Sequence, residues 1–215
     1  MAFSFHAHDP QSIDGSSAAS LSFFSSNSSP DQSSAALVIW RLTKEPSSSS
    51  SSSSSSDNAI TIPAETVTNA LDTLFPQLSS SAKAGPSLAR ITECLSNPET
   101  FTLFIATEVT PSSTSSSSGY GFQISRIVGC LTLITLKLLM NSRAHIEDLV
   151  VLNDCRGLGL GRALMQRALN EAVQVHHCKM VDLTSKPDRI QARTLYESLG
   201  FQLRDTGAFR FYAPV

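Results

Sequence analysis

Apolar positions along this chain change period several times, and each change marks a predicted element. Leu37 to Leu42 is a short apolar run around Trp40 that stops at charged residues, which suits a first strand. From Pro63 the period lengthens. Val67, Ala70, Leu71 and Leu74 recur at helical spacing and predict a helix over Pro63–Leu74. Leu88, Ile91 and Leu95 then mark one face of a shorter helix, Ser87 to Leu95, after the break at Gly85 and Pro86. Thr102 to Val109 and Ile127 to Leu139 are rich in β-branched residues and predict the two strands of a hairpin. Beyond residue 140 the pattern tightens. Ala144–Leu152 predicts a strand, and Gly159–Val175 an amphipathic helix with Leu160, Ala163, Leu164, Ala168 and Ala172 inward. Lys179–Thr184 predicts another strand and Pro187–Leu199 a helix, with Pro187 in its first turn and Gly200 as its stop. Phe201–Arg204 and Phe209–Tyr212 are expected to pair as final strands. Alternating strands and helices with both parallel and antiparallel neighbours predict an α/β fold, a central mixed sheet with helices on both faces.

Serine interrupts this pattern in three places. Residues 1–34 lack sustained periodicity and predict a disordered tail. Ser47 to Ser56 is an unbroken serine run, and Ser112 to Ser118 is a second tract inside the expected hairpin. Both predict flexible insertions, because serine has nothing to bury. Loops of this length are uncommon in a compact domain. Closure entropy grows only with the logarithm of length, however, so a surface loop tolerates them. The expected organisation is a tail, 1–34, and one domain, 35–215, with insertions at 47–56 and 112–118.

Composition narrows the function classes. Sixteen lysines and arginines against 18 acidic residues give a net charge of −2, with no basic stripe to follow a phosphate backbone, so no nucleic-acid partner is expected. Cys94, Cys130, Cys155 and Cys178 are widely spaced, which predicts reduced thiols, no disulfide framework and no metal site. The most apolar run, Leu131 to Met140, is about half of a membrane span and contains Lys137. The N-terminal Met-Ala-Phe-Ser-Phe-His has no basic segment followed by an apolar stretch. These features predict a soluble protein of the cytoplasm or nucleus, with no membrane partner.

The chemistry concentrates in Arg156-Gly157-Leu158-Gly159-Leu160-Gly161, between a predicted strand and a predicted helix. Glycines let the backbone turn tightly, so that several N–H groups converge on one anion. The helix that follows adds unpaired N–H groups and a positive dipole end. The bland alternative is a tight strand-to-helix turn with no ligand. Two other phosphate motifs do not match: a dinucleotide fingerprint needs a glycine where Arg162 stands, and a P-loop needs Lys-Ser or Lys-Thr where Arg162-Ala163 stands.

Arg156-x-x-Gly159-x-Gly161 resembles the Arg/Gln-x-x-Gly-x-Gly/Ala motif of the GCN5-related N-acetyltransferase (GNAT) superfamily. His145-Ile146-Glu147-Asp148-Leu149-Val150-Val151 resembles that family's fourth strand, and Ala192 through Phe201 its late Ala-x-x-x-Tyr-x-x-x-Gly-Phe block. The blocks stand in the family's order and cover the C-terminal third. The resemblance implies a GNAT-like acyl-CoA N-acyltransferase fold and acetyl-CoA as acyl donor. It implies that Leu149, Val150 and Val151 pair through their main chain with the pantetheine arm. Amides of Gly157, Leu158, Gly159, Leu160, Gly161 and Arg162 would hold the pyrophosphate. Arg156 either pairs with a phosphate or fixes the loop from outside.

Tyr196 matches the tyrosine that protonates the departing thiolate in many relatives, a task suited to a phenol that stays protonated at neutral pH. The plain alternative is a packed tyrosine with a satisfied hydroxyl. Glu147 is the candidate for deprotonating the amine. Strand alternation puts Asp148 on the opposite face, and either carboxylate can instead bind substrate or form an ion pair. Where many relatives carry an asparagine seven residues before the tyrosine, this chain has Arg189, whose expected place is a solvated helix face. His176 and His177 suit the negative end of a helix. The expected partner is a small-molecule or peptide amine. A non-catalytic acyl-CoA-binding module is the rival. Because His-Ile-Glu-Asp also occurs in glucosamine-phosphate N-acetyltransferases, an amino-sugar phosphate is one candidate acceptor.

Overall fold

The computed structural model describes residues 2–6, 36–44, 59–79, 82–111 and 122–214. The chain divides into two compact units, residues 1–184 and 185–215. The expectations for Ser47–Ser56, Ser112–Ser118 and most of the 1–34 tail lie outside the described residues.

The first unit is built on one sheet of seven strands. They are β1 (Ala2–His6), β2 (Ala36–Lys44), β3 (Ala59–Pro63), β4 (Phe101–Pro111), β5 (Phe122–Lys137), β6 (Ser142–Val151) and β7 (Met180–Leu183). Their spatial order is β3-β1-β2-β4-β5-β6-β7. Every neighbouring pair is antiparallel except β6 and β7, which run parallel. That exception follows from the intervening helix α3 (Leu160–Asn170), since parallel neighbours need a crossover. Helices α1 (Ala64–Leu78) and α2 (Leu88–Leu95) precede β4. The first buries Ala64, Val67, Leu71 and Leu74, close to the stripe the sequence predicts. The second starts at Ser87, whose hydroxyl accepts from the Arg90 amide. No described helix is long and apolar enough to cross a membrane.

Trp40, Phe104, Ile105, Leu131, Leu133 and Leu164 are all but fully buried in the core. The Trp40 indole N–H donates to Thr107 Oγ1 at 2.8 Å, and that hydroxyl lies 3.4 Å from the Val38 carbonyl. A buried polar pair is thereby satisfied inside an apolar layer. Glu171 is also buried. Arg41 Nη1 lies 3.3 Å from it, Arg167 Nη2 3.9 Å and His176 Nε2 3.9 Å, and the Arg167 guanidinium stands 5.9 Å from the Phe104 ring centre.

Five expectations change. Ala2–His6 is a strand between β2 and β3 rather than part of a structureless tail. Five residues are too few for a period to be legible, and their hydrogen-bond partners are remote in sequence. Ala59–Pro63 is likewise a strand that the sequence pattern misses. The helix expected over Gly159–Val175 stops being α-helical at Asn170 and continues as one wider π turn, Glu171–Val175, which opens at the buried Glu171.

In the second unit, α4 spans Ile190–Ser198, beginning three residues later than expected because Lys186 to Arg189 close a turn first. The strands expected at Phe201–Arg204 and Phe209–Tyr212 do not form, and Phe209, Phe211 and Tyr212 are exposed. Two strands of four residues make a hairpin with too little buried surface to hold itself together.

Candidate functional site

β6 has two stretches with different neighbours. Its first half pairs with β7 from Arg143↔Met180 to Ile146↔Leu183, where β7 ends. β6 itself continues to Val151. On that side the main chain of Glu147 to Val151 therefore has no strand partner among the described residues. The main-chain groups that point that way form an open edge, apart from the Val151 carbonyl, which accepts from Arg156 Nε.

The open stretch is also bulged. Against β5, Glu147 pairs with Thr132 and Val150 with Cys130, so Leu131 faces both Asp148 and Leu149. Asp148 takes φ = 53° to accommodate the extra residue. Aspartate is among the few non-glycine residues that tolerate this region. After the bulge the regular register resumes, and Val150 and Val151 are both buried.

It also separates the two carboxylates. Asp148 turns back, and its Oδ2 accepts from Thr132 Oγ1 at 3.1 Å. Burial pushes its carboxyl above the usual range, with the Thr132 hydrogen bond opposing. Glu147 stays exposed and shares a face with His145, Oε1 to Nε2 being 3.1 Å.

From the end of β6 the chain enters a short 3₁₀ turn, Asn153–Cys155, and then the glycine loop. Arg156 Nε donates to the Val151 carbonyl at 3.3 Å and so ties the loop back to the strand it leaves. Gly157 and Gly159 have φ of 80° and 81°, a conformation that would strain a side chain at either position. Gly159 is the N-cap of α3 and offers no side chain to satisfy the helix's first amides. Leu160 and Leu164 are buried and fix the helix axis. An uncapped helix N-terminus behind a glycine turn suits an anionic group, and the open edge of β6 leads to it through the short turn and the loop.

Tyr196 lies in the second unit. It is buried on α4, edge-on to Phe201 with ring centres 6.1 Å apart. Burial pushes its phenol above the ordinary value, partly opposed by Arg189, so it stays protonated well past neutrality. Arg189 is the N-cap residue of α4.

The first unit thus brings together Glu147, Leu149, Val150, Val151 and the run from Arg156 to Arg162 on consecutive pieces of chain. Three further residues, Gln77, Arg126 and Thr132, enter the same region without a sequence signal. Their hydrogen-bond partners there stand 76, 28 and 16 residues away.

Residues 91–201 match the family model described as the acetyltransferase (GNAT) family. An uncharacterized N-acetyltransferase of Methanocaldococcus jannaschii is 29% identical over 83 residues, which are 39% of this chain and 53% of that protein. The chain thus spans about half the length of this curated relative. Among solved structures, an aminoglycoside acetyltransferase from an uncultured soil metagenomic sample, in complex with sisomicin, aligns with TM-score 0.56 and 18% identity. The alignment covers 83% of this chain and 97% of that one. Glucosamine-6-phosphate N-acetyltransferase from Arabidopsis thaliana aligns with TM-score 0.53 and 16% identity, over 71% and 95% of the two chains. At these identities the structural likeness concerns the fold.

Proposed function

The chain belongs to the acetyltransferase (GNAT) family, and we propose that it moves the acetyl group of acetyl-CoA to a primary amine by direct transfer. One observation carries this reading: the open edge of β6 is followed, through one short turn and the glycine loop, by the uncapped N-terminus of α3. The residues suit a long donor with an amide-bearing arm and a pyrophosphate. Leu149, Val150 and Val151 offer main-chain partners to the arm, and amides from Gly157 to Arg162 cradle the phosphates. The donor supplies an activated thioester, whose carbonyl an N–H near Leu149 or Val150 would polarise.

Glu147 takes the proton from the incoming amine, directly or through water, and His145 at 3.1 Å can pass it on to solvent. Asp148, turned toward Thr132, holds the bulge. Tyr196 gives its proton to the leaving thiolate. Its place in the Ala192–Phe201 block supports that role, and the phenol carries its proton at neutral pH. Holding both reactants in one site makes their encounter intramolecular and supplies much of the acceleration.

A second reading concerns the acceptor. An amino-sugar phosphate is one candidate, because His145-Ile146-Glu147-Asp148 resembles a run found in glucosamine-phosphate N-acetyltransferases; a peptide amine is another.

The test has two steps. Acetyl-CoA, but not NAD, is expected to raise the melting temperature, and no shift would refute the donor assignment. Thiol release is then followed with amino-sugar, polyamine, amino-acid and peptide acceptors. Donor binding without turnover on any class would favour the non-catalytic acyl-CoA-binding module. Tyr196→Phe and Glu147→Gln should each slow turnover by about 10²-fold or more at nearly unchanged donor affinity. Turnover unaffected by Glu147→Gln but lost in Asp148→Asn would move the base to Asp148.

A further inference from the structure

The glycine loop has little to hold it in place by itself. A Cβ at Gly157 would meet no heavy atom within 4 Å, so the loop touches nothing at that point and is held from its two ends. One end is α3, seated by buried Leu160 and Leu164; the other is its stem, Leu152 to Arg156, which Arg156 Nε ties to the Val151 carbonyl. That stem is further tied on three sides. The Leu152 amide donates to the Val128 carbonyl at 2.9 Å, which continues the sheet. The Asn153 amide donates to Gln77 Oε1 of α1, also at 2.9 Å. The third tie is Arg126 of β5.

Arg126 grips Glu108 of β4 with two nitrogens, Nε to Oε2 at 2.7 Å and Nη2 to Oε1 at 2.9 Å. It donates from Nη1 to Asp154 Oδ2 at 2.8 Å. Its Nη2 also lies 3.3 Å from Cys155 Sγ. Cys155 is buried beneath this contact, and its thiol is pushed up to about 11 chiefly by burial, so it is the neutral side chain that the guanidinium covers.

We propose that Arg126 is a positioning residue for the donor loop: its guanidinium, oriented by Glu108, sets where the Asn153–Cys155 turn, and hence Gly157–Gly161, stands. The proposal rests on the donor-site reading above. Solvent-exposed ion pairs contribute little to stability, and the Arg126 side chain is 43% exposed, so a purely stabilising role would be weak. A planar fork held by a carboxylate on one side fixes direction on the other, which a flexible ammonium does not do. Glu108 and Arg126 pair directly across the β4–β5 ladder, between two register shifts, so the anchor is carried on the sheet itself.

Four full-length proteins test this: wild type, Arg126→Gln, Asp154→Asn and the double variant, with Arg126→Lys beside them. Acetyl-CoA affinity is measured by calorimetry and unfolding of the free protein by Trp40 fluorescence. Arg126→Gln and Asp154→Asn are each expected to raise the acetyl-CoA Kd about tenfold, equivalent to about 1.4 kcal/mol. The melting temperature should move by no more than about 3 °C. The double variant should be no worse than either single one, because both cut the same tie. Arg126→Lys should recover the melting temperature but only part of the affinity.

Additive losses, unchanged affinity in both single variants, or complete rescue by lysine would each overturn the proposal. The last would show a long-range charge effect in place of a positioned fork. Asp154 is exposed, so its variant carries the test even if Arg126→Gln folds poorly. If wild type itself fails to bind acetyl-CoA, the donor-site reading falls and takes this proposal with it. A failure confined to the variants overturns the proposal alone.

Discussion

Gly157→Ala introduces one methyl group at a residue with φ = 80° and no neighbour within 4 Å of the new Cβ. The change therefore carries no clash, only backbone strain. The left-handed region costs an L-residue roughly 1–2 kcal/mol. Alanine also restricts the unfolded chain, offsetting roughly 0.4–1 kcal/mol of any stability loss. Gly157 is exposed, so in the free protein the loop can relax out of the strained conformation. Free-protein stability should then fall by no more than about 1 kcal/mol, or ~2–4 °C for a domain of this size.

If its amides hold the phosphates as proposed, the loop cannot relax in the donor complex. There the strain reappears as weaker binding, roughly five- to tenfold in acetyl-CoA Kd. Trp40, the single tryptophan of the chain and buried in the core, reports unfolding by fluorescence, and calorimetry reports affinity. Gly157→Asn should recover most of the affinity, since asparagine visits this region more readily. Unchanged affinity in Gly157→Ala, with wild type binding normally, would refute the reasoning. So would a melting-temperature loss well beyond 4 °C, which would mean that the methyl meets something.

Other expectations follow from the core and the buried charges. Trp40→Phe removes ring volume and the N–H that donates to Thr107, and should destabilise the protein by about 2–4 kcal/mol, read by circular dichroism. Burial, reinforced by Arg41 and Lys137 against the opposing pull of Glu171 and Glu99, holds the His176 pKa below its ordinary 6.5. The unfolded state then binds the proton first, so stability falls as pH drops below about 6.5 toward the folded-state value. His176→Gln should flatten this fall in a melting series from pH 7.5 to 5; an unchanged slope would clear His176 of the effect. Asp148 works in the opposite sense. Its raised carboxyl pKa makes the ionised form a liability above the folded-state value, so Asp148→Asn should melt higher than wild type at pH 7, with the difference vanishing near pH 3. Equal melting at pH 7 would show that the carboxylate is not penalised there.

What the sequence determined by itself was local. The helical stripe of Val67, Leu71 and Leu74, the run of strand residues before Arg156, and the glycines that turn into α3 all follow from side-chain period and backbone freedom, which act over a few residues. The same local logic supports the family resemblance at Arg156–Gly161 and Ala192–Phe201.

The tertiary structure decided everything that needs a distant partner. β1 became a strand because β2 and β3 flank it, while Phe209–Tyr212 did not despite its aromatic content. Alternation along β6 predicted opposite faces for Glu147 and Asp148. The bulge that sends one to solvent and the other to Thr132 depends on Leu131 of β5 facing two residues at once. The open edge of β6 exists because β7 stops at Leu183, and the turn before the glycine loop is hydrogen-bonded by Arg126 and Gln77 from other strands and helices. A period in one segment holds no record of where a neighbouring strand ends or which side chain reaches across from another. The chain's chemistry is therefore legible in its residues, and its geometry only in their contacts.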